Sequence, residues 1–255
     1  GEVEYNIAYL YYLRGEYPTA LELYRKTRER CEATGEIYHR ALCDLDEAEM
    51  YLELNLIGET VRSTEAAYRA FDQLGMRYEA AKALSYLAIA RIRQGKTILG
   101  LDLFDRSREI FVSERNEVWL GMIDLFKAAA LAREGRRFEA ERLVADAREV
   151  FSAGGLTAKL AAADTLLALL RLEDGDLAAA RRLCNRALER LNDLELPSLE
   201  HPALFILGRI EERAGNLASA LAAFEASHHK LARSRSSAQA DELKIPLLDS
   251  HLEVY

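Results

Sequence analysis

Apolar and polar positions follow a helical rhythm through nearly the whole chain. From Arg77 to Gln94, the residues Ala80, Ala83, Leu84, Leu87, Ala88 and Arg91 fall three or four apart, the stripe of a core-facing helix. Gly95-Lys96 interrupts that stripe, glycine suiting the left-handed conformation common just past a helix end. Thr97 to Ser113 then resumes it with Ile98, Leu101, Phe104, Ile110 and Phe111. The pattern predicts pairs of helices joined by tight turns. Handover from one pair to the next is expected at Gly35, Gly75, Asn116, Gly154-Gly155 and Leu196-Pro197.

Residues spaced by 40 match one another in strict register. One column reads Gly15, Asn55, Gly95, Gly135, Gly175, Gly215, and a second reads Ala8, Ala48, Ala88, Ala128, Ala168, Gly208. A third (Ala20, Thr60, Gly100, Ala140, Ala180, Ala220) and a fourth (Thr27, Ala67, Ser107, Ala147, Ala187, Ser227) are also small. Small side chains let two helices approach closely, and a larger one would force them apart. Tyr24, Phe104, Val144 and Phe224 fill the space beside them, with Thr64 and Cys184 as poorer members of that column.

A fixed period of this length marks a repeat architecture. The expected fold is all-α: a right-handed superhelical solenoid of about six helical hairpins with a 40-residue period. The hairpins are placed at about 1–35, 36–75, 76–115, 116–155, 156–197 and 198–235, with 241–255 starting a further helix.

Bulk properties narrow the class. Half of the 255 residues are hydrophobic, 30% are charged and only four are proline, as suits a soluble helical protein. A formal charge of -8 argues against nucleic-acid backbone or anionic membrane as partners. No apolar run of about 18 residues predicts a membrane span, and no signal peptide is seen. Cys31, Cys43 and Cys184 are odd in number and widely spaced, the usage of a reduced, cytoplasmic chain. With helical pattern running from Val3 to Leu252-Tyr255, the chain reads as a segment of a longer protein whose ends are free to self-associate.

The segment AYLYYLRGEYPTALELYRKT, carrying Ala8, Tyr11, Gly15, Tyr17, Ala20, Tyr24 and Thr27, resembles a tetratricopeptide repeat. The period of 40 departs from that family's usual 34 and implies longer helices. Ala41 to Leu56 and Phe71 to Leu84 further resemble the arrays of bacterial CHAT-domain proteins, which precede a caspase-like protease domain; the tail Asp241 to Tyr255 resembles the helix leading out of such an array. The resemblance implies a bacterial protein- or peptide-binding scaffold or sensor regulating an attached protease domain. The alternative is a ligand-sensing regulatory domain of a transcription factor or signalling ATPase.

Chemistry is sparse. Nucleotide-binding P-loop, H-E-x-x-H and G-x-S-x-G motifs are absent. His228-His229 is the one histidine cluster, and adjacent helical residues point too far apart to share a metal, so a solvated helix end is expected. The cysteines read as packing. No catalytic residue, metal site or cofactor is expected, and the chain is not read as an enzyme. Asp46, Glu49 and Glu53 share one helical face, either as a solvated or ion-paired surface or as an acidic wall for a basic peptide.

The resemblance implies that the first helix of each hairpin lines a concave groove. The candidate partner-binding residues there are Tyr5, Tyr9, Tyr12, Glu49, Glu53, Lys82, Arg93, Met122 and Arg133. Tyr5, Tyr9 and Tyr12 form one stripe, either a recognition face or packing for an earlier repeat. Arg93 and Arg133 suit carboxylate or phosphate groups, or neutral pairing with Glu53 and Glu173. RNA binding is disfavoured, since Glu49, Glu53 and Glu173 spoil the basic inner face it needs.

Overall fold

In the computed structural model the described residues are 1–14 and 16–236. Gly15, His251 and the tail Asp241 to Tyr255 lie outside the described residues. Twelve α-helices are the regular elements among those described: α1 (Glu2–Leu13), α2 (Tyr17–Thr34), α3 (Ile37–Glu53), α4 (Ile57–Gln73), α5 (Arg77–Arg93), α6 (Thr97–Ser113), α7 (Glu117–Arg133), α8 (Arg137–Ala153), α9 (Thr157–Glu173), α10 (Leu177–Leu191), α11 (Pro197–Arg213) and α12 (Leu217–Ser236). None of the described helices is long and apolar enough to cross a membrane.

Turn chemistry explains the spacing. At the end of α5, Gly95 takes φ +76°, its N–H donates to the Ile92 carbonyl at 2.9 Å, and Lys96 N–H donates to Arg91 at 2.9 Å. Those two bonds satisfy carbonyls that the helix end would otherwise leave open. The left-handed residue recurs at the described turns from Gly35 onward, and three times it is not glycine: Asn55 (φ +56°), Arg115 (φ +53°) and Glu195 (φ +47°). Asn116 and Leu196-Pro197 therefore sit one residue past the conformational break. Asn116 instead caps α7, its Oδ1 accepting from Trp119 N–H at 3.1 Å.

Among the described residues the helices form two compact units, 1–123 and 124–236, with the boundary inside α7. In the first unit, α1 to α6 pack each on the next, and the first helices of successive hairpins also touch, α1 on α3 and α3 on α5. In the second, α8 to α12 pack in order, and α9 touches α11.

Small-residue columns are the contact lines of this packing. Ala8, Ala48, Ala88, Ala128 and Ala168 are wholly buried. A Cβ on Gly100 would lie 2.4 Å from Ile92 Cγ1 and 2.8 Å from the Ala88 carbonyl oxygen, so the second and third columns meet inside the α5–α6 hairpin. A Cβ on Gly208 would lie 2.6 Å from the Phe224 ring. Polar members of the columns bond to the facing backbone: Ser107 Oγ donates to Ala81 at 2.8 Å, and Ser227 Oγ donates to His201 at 2.8 Å. Phe71, Phe104, Phe111 and Phe151 are fully buried beside them, each contributing about 1.5 to 3 kcal/mol of apolar burial.

Candidate functional site

Eight of the nine groove candidates fall in the first unit, on α1, α3, α5 and the start of α7. Tyr5 and Tyr9 are half-buried, their rings stacked at 6.2 Å with an interplanar angle of 15°. They pack on the first unit's own core of Ala8, Tyr12, Tyr24, Cys43 and Met50. Tyr12 is 2% exposed and Met122 3% exposed, so both belong to the interior and neither offers its side chain to a ligand. Glu49, Glu53, Lys82 and Arg93 are half-buried. Arg133, exposed, belongs to the second unit.

The α3 carboxylates are tied inward. Tyr5 Oη and Tyr24 Oη both donate to Asp46 Oδ2, each at 2.9 Å. Tyr17 Oη donates to Glu53. Asp44 and Glu47, on the other side of the same helix, receive Arg28 at 3.1 Å and 2.8 Å. Asp44, Asp46 and Glu47 are buried rather than solvated, and Asp44 and Glu47 are ion-paired to the neighbouring helix α2 through Arg28.

Burial sets the protonation of this region. It pushes the Glu49 carboxyl up to about 7; Lys82 opposes that rise, while Asp46 and Glu53 add to it. Burial, then the negative charge of Asp46, raises the hydroxyl pKa of Tyr5 and of Tyr24. The Tyr12 hydroxyl, buried near Glu49 and Glu53, has no hydrogen-bond partner. Lys82 also places its Nζ over the Trp119 ring at 5.6 Å, a cation–π contact, and Trp119 Nε1 donates to Tyr78 Oη at 2.9 Å.

Arg93 has a structural use that sequence spacing did not reveal. Its Nη1 donates to the Leu52 carbonyl at 2.8 Å, near the end of α3, and lies 3.4 Å from Asn55 Oδ1. Glu173, the expected partner of the arginine column in the second unit, receives Arg209 at 3.0 Å. Tyr24 and Trp119 are the residues the sequence reading missed at this face. Tyr24 lies in the packing column, and its hydroxyl signals a polar partner; Trp119, the one tryptophan, carries an indole N–H in need of an acceptor.

Elsewhere the chemistry is quiet. His228 and His229 are exposed with rings 6.2 Å apart, and Cys31, Cys43 and Cys184 are buried free thiols. Burial pushes the Cys184 thiol up to about 12, away from nucleophilic use. Among the described residues no group of histidine, cysteine or carboxylate side chains is arranged to hold a metal.

No protein-family model matches the chain, and no curated protein sequence matches it. Solved structures do. BtubC (BKLC) from P. vanneervenii is 19% identical, with 84% of this chain and 92% of that one covered at a TM-score of 0.61. Aspartyl phosphate phosphatase F from Bacillus subtilis is 12% identical, with 89% and 69% covered at a TM-score of 0.68. The STAND signal-transduction ATPase with a tetratricopeptide repeat sensor from Pyrococcus horikoshii is 13% identical, with 96% of this chain and 38% of that one covered at 0.65. At these identities the likeness shows the fold alone, and that fold is a tetratricopeptide-like array of helical hairpins.

Proposed function

We propose that this chain is a protein- or peptide-binding scaffold or sensor whose ligand lies across the first helices α1, α3 and α5. The observation that carries the reading is the state of Tyr5, Tyr9, Glu49, Glu53, Lys82 and Arg93. Each keeps part of its side chain at the surface of consecutive first helices. Tyr5, Glu53, Lys82 and Arg93 are also anchored inward, on Asp46, Tyr17, the Trp119 ring and the Leu52 carbonyl. Side chains already fixed lose little freedom on binding, which favours a recognition surface. Aromatic and arginine anchors are the residue types that dominate such surfaces.

Even helix starts from α3 to α12 support a 40-residue repeat, with hairpins at about 1–35, 36–75, 76–115, 116–155, 156–197 and 198–235. Within each unit, the hairpins in our reading wind as a right-handed superhelix. The net charge of -8 favours a protein ligand over nucleic acid or membrane. In our reading, the resemblance of Ala41 to Leu56 and Phe71 to Leu84 to the arrays of bacterial CHAT-domain proteins makes this scaffold part of a cytoplasmic bacterial protein with a CHAT-type protease. The likeness to a tetratricopeptide sensor of a signalling ATPase favours a second reading, the sensor region of such an ATPase.

Peptides selected from a displayed random library test the proposal. Their affinity should fall at least about tenfold in Tyr9→Ala and Lys82→Glu and stay within about twofold in Arg25→Ala on α2. Equal affinity in all three variants would remove the first-helix surface from recognition.

A further inference from the structure

Asp44 of α3 and Asp164 of α9 hold the same place in the repeat register, yet only Asp164 is fully supplied with donors. Asp164 is wholly buried and held from both flanking helices: Arg148 of α8 lies at 3.0 Å, Arg186 of α10 donates at 3.0 and 3.2 Å, and Arg190 of α10 donates at 3.2 Å. Asp44 is 5% exposed and receives Arg28 alone, at 3.1 Å on Oδ1. No hydrogen-bond donor among the described residues reaches its Oδ2. A carboxylate oxygen without a protein donor can accept a charge-assisted hydrogen bond from a ligand's guanidinium.

The missing donors have a definite cause. In register, Arg186 and Arg190 correspond to Ala66 and Ala70 of α4. Those two alanines line, together with Asp44, a cleft of about 520 Å³ among α2, α3 and α4. That volume lies in the small-molecule range of about 300 to 1,000 Å³. Arg40 and Arg69 also line it, and neither lies within ion-pair distance of a carboxylate among the described residues. The other two arginines of the cleft are spoken for: Arg28 by Glu47 at 2.8 and 3.0 Å, and Arg62 by Glu59 at 3.1 Å. The cleft thus offers Asp44 and the exposed Glu32 as acceptors, together with the guanidiniums of Arg69, whose Nε donates to the Glu65 carbonyl at 3.0 Å, and of Arg40, whose charge acts on Asp44. A simple anion would leave the Asp44 and Glu32 carboxylates unserved, and a simple cation would leave the remaining guanidinium N–H groups of Arg40 and Arg69 unserved.

We propose that this cleft binds an arginine with a free α-carboxylate, its guanidinium taking on Asp44 the place Arg186 takes on Asp164 and its carboxylate meeting Arg40 and Arg69. The ligand is either the free amino acid or the C-terminal residue of a peptide. This site is separate from the first-helix surface, and its success or failure leaves that reading untouched.

Titration calorimetry of the whole chain decides it. L-Arginine should bind saturably, while L-citrulline, which keeps the shape without the charge, and L-arginine amide, which lacks the carboxylate, should each bind at least about tenfold more weakly. Ala66→Arg supplies a guanidinium from within and should abolish binding while raising the thermal midpoint. Asp44→Asn should abolish it too, and Ala66→Arg keeps the test intact if Asp44→Asn fails to fold. Tighter binding by a peptide ending in free arginine assigns the ligand to chain termini, and tighter binding by arginine itself assigns the free amino acid. The proposal is overturned by no saturable binding of either probe, by citrulline binding as well as arginine, by inorganic pyrophosphate binding more tightly than arginine, or by arginine binding that survives Ala66→Arg.

Discussion

Arg93 closes the end of a helix 41 residues behind it, its Nη1 donating to the carbonyl of Leu52 at 2.8 Å. The second unit repeats the device, with Arg213 donating to the Leu172 carbonyl at 2.6 Å. Last-turn carbonyls have no partner inside their own helix, and a guanidinium is a good donor for them. These two arginines therefore tie α5 to α3 and α11 to α9. Arg93→Ala should cost about 1 to 2 kcal/mol in urea unfolding, Arg213→Ala should cost a similar amount, and Arg93→Lys should lose less than Arg93→Ala.

Close approach of α5 and α6 leaves no room for a methyl group at Gly100. Gly100→Ala should destabilise the chain by about 1 to 3 kcal/mol, because the Ala88 carbonyl is backbone and cannot swing aside. Ala128→Leu and Ala140→Leu, at buried column positions of the second unit, should cost about the same. A thermal melt unchanged by all three would contradict the packing described.

Arg115 occupies a left-handed turn position that glycine fills at equivalent places, with φ +53°. Arg115→Gly removes that strain and should stabilise the chain by about 0.5 to 1 kcal/mol, visible as a raised thermal midpoint.

Asp164 holds three arginines with one carboxylate. Asp164→Ala strands those guanidiniums together and should cost about 3 kcal/mol or more. Arg186→Ala leaves two donors in place and should cost less than about 1 kcal/mol. Parallel denaturation curves for the two variants check the asymmetry.

Glu49 fixes the sign of a pH dependence. Its folded-state pKa, about 7, lies above the ordinary 4.5, so between those values the folded chain binds the proton more than the unfolded chain does. Its contribution to stability is fully present below about 4.5 and is lost as pH rises through about 7. Glu49→Gln should flatten that part of the stability–pH curve, as read by chemical denaturation at several pH values.

Much of the fold was legible because the constraint that made it is periodic. Ala48, Ala88 and Ala128 are small for the same reason in every hairpin, so one-dimensional register exposed the three-dimensional contact. The turns at Arg115 and Glu195 were harder to place, since no glycine marks them and the strain is carried by the backbone. At the candidate site, sequence gave the residue types but not their direction. Asp46 shares a face with Glu49 and Glu53, yet its burial depends on Tyr5 and Tyr24 arriving from two other helices. Arg93 shows the same gap: helical spacing identified its face, but nothing in sequence could say that Leu52 offered an open carbonyl there.

Hydrogen–deuterium exchange of the chain with and without a library-selected peptide tests the central claim most directly. Binding across the first helices predicts slowed exchange in α1, α3 and α5 together, with α2, α4 and α6 little changed. Protection confined to α2, α4 and α6, or none in any of the six at saturating peptide, would contradict it.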